Sequence, residues 1–279
     1  MRTQLQDRLG DRSGPPLVMG ILNITPDSFS DGGRFTSEAA ILAQAEKMVA
    51  EGADLLDIGG ESTRPGALPV TLAEEIERVV NTVRLIRRRH DIPLSVDTTK
   101  SEVARLALDA GADMINDISG LRFDPALASL LREREVPVVI MHMQGTPGNM
   151  QQNPTYNDVI GEISAFLAER IAWAESQGIR RERIVVDPGL GFGKTVGHNL
   201  TILKHLERFT ELGCPVLIGH SRKSFIGKIL DREVDDRDLG TAIISGLCAI
   251  KGAALLRVHD VAGTVQALQL AMAIGGAAD

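Results

Sequence analysis

Eight times along the chain a short apolar run gives way to a polar loop and then to a helix-spaced segment, and no other feature restricts the fold as much. The first run is Leu17-Val18-Met19-Gly20-Ile21-Leu22, and it exits into NITPDSFSDGG, residues 23–33. Apolar runs of this length, bounded by dense turn formers, read as buried strands. Residues 37–51 then place Ala40, Ile41, Ala45, Met48 and Val49 at helical spacing, with Ser37 as an N-cap and Gly52 as the stop. The second unit has a strand at 55–59, the loop GGESTRPGA at 59–67 and a helix at 72–89. Further strands are predicted at 93–96, 114–118, 137–141, 183–186, 215–219 and 254–258, with a last helix at 261–274. Gly111, Gly178, Gly213 and Gly252 close helices in the later units as Gly52 does in the first. Residues 1–14 are polar and Gly-punctuated, and are expected to form a loose arm or short hairpin before a single domain at 15–279.

Strands alternating with helices imply parallel pairing through right-handed crossovers. Eight such units close most economically as a (β/α)8 TIM barrel, for which roughly 250 residues is typical. The competing doubly wound open sheet usually has fewer strands and a fingerprint loop after the first. The 279 residues carry a net charge of −7, which argues against a nucleic-acid or membrane-surface role. Any anionic ligand must therefore be held by a local cluster. No apolar run reaches the roughly 18 residues of a membrane span. Two isolated cysteines, Cys214 and Cys248, and no secretory signal pattern point to a reduced cytoplasmic setting, and cannot supply a four-ligand zinc site.

In such a barrel the strand C-termini form one rim, where residues distant in sequence converge. Asn23, Glu61, Thr63, Arg64, Asp97, Asn116, Asp187, Ser221, Lys223, Arg257 and His259 all fall inside or just after a predicted strand. Helix capping accounts for a Ser or Thr there, but not for Asp97, Asn116, Asp187, Lys223 and Arg257 together. Inward charges atop apolar strands must pair or meet a ligand. Carboxylate and amide groups suit a flat heterocycle with several N–H donors, and Lys223, Arg257 and His259 suit phosphate or carboxylate oxygens. Three apparent signatures fail. Gly193-Lys194-Thr195 ends like a P-loop but has Pro188 where the first Gly belongs; Gly189, Gly191 and Gly193 are not spaced as a dinucleotide fingerprint; and Gly219-His220-Ser221 has Lys223 where a nucleophile elbow needs Gly. His142, between Met141 and Met143, reads as a packing residue.

The stretches NITPDSFSDGG, GGESTRPGA, SVDTTK, INDISG, MHMQGTP, VDPGLGFGK, SRKSFIG and LRVHDV closely resemble those of the dihydropteroate synthases of folate biosynthesis, over nearly the whole chain. The resemblance implies an eight-stranded α/β barrel, a homodimer, a Mg²⁺ requirement, and condensation of 6-hydroxymethyl-7,8-dihydropterin pyrophosphate with p-aminobenzoate to give 7,8-dihydropteroate and pyrophosphate. It assigns Asp97, Asn116, Asp187, Lys223 and Arg257 to the pterin. Asn23, Arg257 and His259 fall to the pyrophosphate, with Asn23 also a Mg²⁺ ligand. Thr63, Arg64, Pro65, Phe192 and Ser221 fall to p-aminobenzoate. Asp97, Lys223, Arg257 and Asp31 are the implied catalytic groups, Asp31 arriving on a closing loop at 27–33. A pterin-binding methyltransferase domain and a non-catalytic pterin-binding paralogue are the alternatives. Neither explains an intact pyrophosphate set.

Overall fold

The computed structural model describes residues 2–11, 14–24, 34–62 and 69–277. Eight parallel strands run β1 (Leu17–Asn23), β2 (Leu55–Gly59), β3 (Leu94–Asp97), β4 (Met114–Asp117), β5 (Val138–Met141), β6 (Ile184–Asp187), β7 (Leu217–Ile218) and β8 (Leu255–Val258). They lie in the order β6-β5-β4-β3-β2-β1-β8-β7. A parallel bridge between Val186 and Val216, with the Val186 amide donating to Pro215 O at 2.9 Å, joins the two ends. The predicted (β/α)8 barrel is the observed architecture. β7 is shorter than expected, and Pro215 at its start has no N–H to give a ladder.

The helices pack outside: α2 (Arg34–Ala50), α3 (Leu72–Arg87), α4 (Ser101–Ala110), α5 (Ala126–Arg134), α6 (Val159–Ser176), α7 (Val196–Lys204), α8 (Glu207–Thr210), α9 (Ser224–Leu230), α10 (Asp238–Ile250) and α11 (Val261–Gly275). α2 starts three residues before the predicted cap, so Ser37 lies within the helix. α4 ends as predicted on Gly111, whose φ of 113° suits a residue without Cβ. Among the described residues, no helix is long and apolar enough to cross a membrane.

The first residues are not a loose arm or hairpin. Residues Arg2–Gly10 form α1, and Leu5 and Leu9, one turn apart, are buried against Leu17, Leu55, Val185 and Leu255. Those side chains close the barrel at the strand starts. Each buried leucine contributes about 1.5–3 kcal/mol, enough to order a segment whose polar composition alone predicts little. With that end filled by aliphatic side chains, polar groups collect at the opposite end.

Candidate active site

Backbone register brings the first site residues together. Asn23 pairs with Gly59, Gly59 with Asp97 and Asp97 with Asn116, so one row crosses β1 to β4 at the strand exits. Gly59 has no side chain, and a Cβ there would lie 3.4 Å from Asn23 Oδ1. The row therefore stays open in its middle. The even strands contribute a second set, Asp57 from β2, Asn116 from β4, Asp187 from β6 and Arg257 from β8, the alternate-strand layering of a barrel interior.

Arg257 ties the two sets. Its Nε donates to Asp57 Oδ2 at 2.6 Å and its Nη2 to Asp97 Oδ2 at 2.9 Å, while Asn116 Nδ2 donates to the same Asp57 oxygen at 3.1 Å. Burial pushes Asp97 up to about 7; Asp57, Glu75 and Asp117 add to the rise and Arg257 opposes it. Burial likewise raises Asp187 to about 6, against the Gly189 N–H that donates to Oδ1 at 2.7 Å and against Lys223, Lys194 and Arg257. That turn needs Gly189, whose φ is 70° and whose Cβ would fall 1.9 Å from His142 O.

Lys223 precedes α9, and its Nζ lies 4.1 Å from the centroid of the Phe192 ring. Burial lowers it to about 8, with Arg257 acting in the same direction and Asp187 and Asp97 opposing. Ser221 Oγ sits 2.9 Å from His259 Nδ1 and accepts the His259 amide at 3.1 Å. The loop carrying Ser221 and Lys223 is clamped to α10. Arg222 makes a two-pronged pair with Asp238 at 2.7 and 2.8 Å, its amide donates to Thr241 Oγ1 at 3.1 Å, and buried His220 meets Thr241 O and Ser245 Oγ at 3.0 and 2.9 Å.

Of the residues predicted from sequence, Asn23, Asp97, Asn116, Asp187, Phe192, Ser221, Lys223, Arg257 and His259 stand at strand exits or in the loops after them. Asp31, Thr63, Arg64 and Pro65 lie outside the described residues, as do Asp27 and the whole of the loop at 27–33. Glu61, left open by sequence, accepts from Lys100 Nζ at 2.8 Å and from the Val70 amide at 3.3 Å. His142 is buried, edge-on to Phe166 at 4.9 Å, and is held down to about 2 by burial and then by Lys194 and Arg122. It packs, as expected.

Sequence reading missed three groups. Asp57 is completely buried, and a carboxylate at the centre of the apolar run Leu55–Gly59 was its available signal. Glu75, 1% exposed, shares a helix face with Val79 and Val83 and accepts from Thr98 Oγ1 at 2.6 Å and from Lys100. Lys194, held at 2.9 Å from Phe192 O and 3.0 Å from His142 Nδ1, had no signal beyond the failed P-loop ending.

Among the described residues, no group of three or more His, Cys, Asp or Glu side chains could hold a metal. What the row offers a cation is one amide oxygen, Asn23 Oδ1, beside Gly59, which has no side chain to crowd it. That fits a hard cation whose other ligands are phosphate oxygens and waters.

Residues 19–259 match the model of a family described as pterin binding enzyme. A dihydropteroate synthase of Synechocystis is 45% identical over 96% of this chain and 98% of its own length. The dihydropteroate synthase of Xanthomonas albilineans, solved with 4-aminobenzoic acid, superposes with a TM-score of 0.89 at 49% identity, covering 95% of this chain and 94% of that one. The same enzyme solved with 7,8-dihydropteroate gives 0.87 at 45% identity, with 96% of each chain covered.

Proposed function

The chain belongs to the dihydropteroate synthases of the pterin-binding enzyme family, and we propose that it runs their condensation through the strand-exit groups described above. The observation that carries this reading is the union of Asp97, Asn116, Asp187, Lys223 and Arg257 at one barrel mouth, with Ser221 and His259 hydrogen-bonded beside them. Asp187 accepts from the pterin 2-amino and N3–H edge, Asn116 lies beside it, and Asp97 takes N8–H. Lys223 addresses the O4/N5 edge. Adjacent N–H donors facing carboxylates give strong, planar recognition.

Arg257 lies over the ring and, with His259 and Asn23, holds the pyrophosphate; Asn23 Oδ1 would also hold Mg²⁺. When bound, the ion supplies positive charge to the phosphate oxygens. In the reaction the C–O bond between the pterin methylene and pyrophosphate breaks, and the arylamine nitrogen forms the new C–N bond and loses a proton. Arg257 and His259 stabilise the departing oxygens, and Asp97 favours the cationic pterin methylene. Phe192 and Ser221 border the p-aminobenzoate side, which Thr63, Arg64 and Pro65 complete, and Asp31 joins as a further carboxylate. Rate comes from positioning and preorganised charge. Incubation with the dihydropterin pyrophosphate, p-aminobenzoate and Mg²⁺ is expected to release pyrophosphate only when p-aminobenzoate is present. Release that ignores p-aminobenzoate, or no release, refutes the reading.

Three ionisations bound the active pH range. Asp97 and Asp187 accept from N–H donors only as carboxylates, so activity falls as pH drops through about 7, where Asp97 takes its proton, and further through about 6, where Asp187 does. Lys223 donates fully only as an ammonium, so activity falls again as pH rises through about 8. The expected kcat/KM for the pterin substrate is a bell between those values. Lys223→Met should abolish the alkaline limb, and an unchanged limb in that variant assigns it elsewhere.

The protein works as a homodimer. α10 turns Thr241 and Ser245 toward the site loop and exposes Leu239, Ile243, Leu247 and Ile250, beside Leu270 and Ile274 of α11. An apolar face of this extent favours a partner of the same surface. Sedimentation should give a dimer for the wild type and a monomer for Ile243→Asp/Leu247→Asp. Cys214 and Cys248 are buried thiols not joined in a disulfide, which supports a cytoplasmic setting.

A further inference from the structure

Asp57 contacts neither substrate nor leaving group in the condensation, yet it is 0% exposed at the centre of β2 and touches two of the pterin-site groups. Its two oxygens are used very unequally. Oδ2 accepts from both Arg257 Nε and Asn116 Nδ2, whereas Oδ1 is buried with no hydrogen-bond partner among the described residues. A buried acceptor left unmade is costly, and a native site that keeps one asks for a reason.

The guanidinium supplies it. Nε–H and Nη2–H lie on one edge of the group and point in parallel, so they normally grip both oxygens of a single carboxylate. Arg222 does so with Asp238 in this same protein, at 2.7 and 2.8 Å. At Arg257 the edge is split: Nε goes to Asp57 and Nη2 to Asp97. Asp97 is also the carboxylate that must receive the pterin N8–H.

Resting on the proposed roles of Asp97 and Arg257, we propose that Asp57 is a positioning residue that receives Arg257 Nη2 on Oδ1 when the pterin ring occupies Asp97. The exchange turns the bridge into a two-pronged Asp57–Arg257 pair. Arg257 keeps both hydrogen bonds and stays over the leaving group, while Asp97 is released to the ring. Asn116 remains on Oδ2 throughout. Asp57 touches no substrate, and acts through Arg257 and Asn116.

The test is a double-mutant cycle of Asp57→Asn and Arg257→Met, read as turnover with the dihydropterin pyrophosphate, p-aminobenzoate and Mg²⁺, with calorimetric binding of inorganic pyrophosphate beside it. Asparagine has one acceptor where the handover needs two, so Asp57→Asn should lower kcat roughly 10- to 100-fold, the scale of a slightly misplaced group, and weaken pyrophosphate binding. In the Arg257→Met background the same substitution should change kcat less than about twofold, because coupled residues do not add. Wild-type turnover and pyrophosphate binding in Asp57→Asn would overturn the proposal, and so would an undiminished further loss in the Arg257→Met background. Should Asp57→Asn alone fail to fold, Arg257→Met and the double variant still decide: equal turnover supports the handover and a tenfold gap refutes it. A wild type that fails to consume p-aminobenzoate would instead refute the synthase reading itself.

Discussion

Asp97→Asn is expected to lower kcat by about 10²- to 10³-fold, the usual effect of deleting one preorganised electrostatic group, while the protein folds normally. The amide keeps an oxygen to accept from Arg257 Nη2, now at 2.9 Å from the carboxylate, so the ion-pair geometry can persist without the charge. What is lost is the negative charge that favours the cationic methylene. Stability should move oppositely. Burial raises Asp97 from its usual 3.8 to about 7, so the native state holds this proton more tightly than the unfolded chain. The stability owed to that proton is fully present below about pH 4 and is lost as pH rises to about 7. Asparagine cannot ionise and escapes the loss. Melting temperatures should therefore diverge in the variant's favour from pH 5 to pH 8. A variant with wild-type kcat would remove Asp97 from the chemistry, and a constant melting difference across that range would show that Asp97 is not held protonated by burial.

The barrel was legible because its cause is periodic. Each strand run is short and bounded, and closing glycines such as Gly111 permit the left-handed turn that ends a helix. The rim residues were legible for a related reason: a charge at the end of an apolar run, as with Asp97, Asp187 and Arg257, has to be answered by something at the strand exit. Position within the run made the difference for Asp57. Sitting mid-strand, it carries the same physical signal as Asp97, a carboxylate in an apolar run, but no polar loop directly follows it to mark it as a rim residue. The N-terminal helix was hidden because its ordering depends on Leu5 and Leu9 meeting the barrel floor, a tertiary contact absent from local composition. Lys194 and His142 approach only through loops after β5 and β6, and no spacing rule links residues 52 positions apart. β7 lost residues at its start to Pro215, a local effect that the sequence did contain.

Arg257→Met should be the most damaging substitution, because Arg257 serves folding and chemistry with the same guanidinium edge. Asp57 is wholly buried and Asp97 is 9% exposed, and Arg257 is the cation paired with both. Removing one partner of a buried pair leaves the other charge uncompensated, at a cost of about 3–5 kcal/mol. Turnover should fall by about 10²- to 10³-fold as the departing pyrophosphate loses a charged donor. Arg257→Lys separates the two effects. A lysine returns positive charge between the carboxylates and should recover much of the unfolding free energy in a urea titration, but an ammonium lacks the planar fork that can hold two carboxylate oxygens while facing the leaving group. Its kcat should remain near that of Arg257→Met. If lysine restored turnover as fully as stability, positive charge alone would suffice, and the guanidinium geometry that ties Asp57, Asp97 and Asn116 together would carry no catalytic weight.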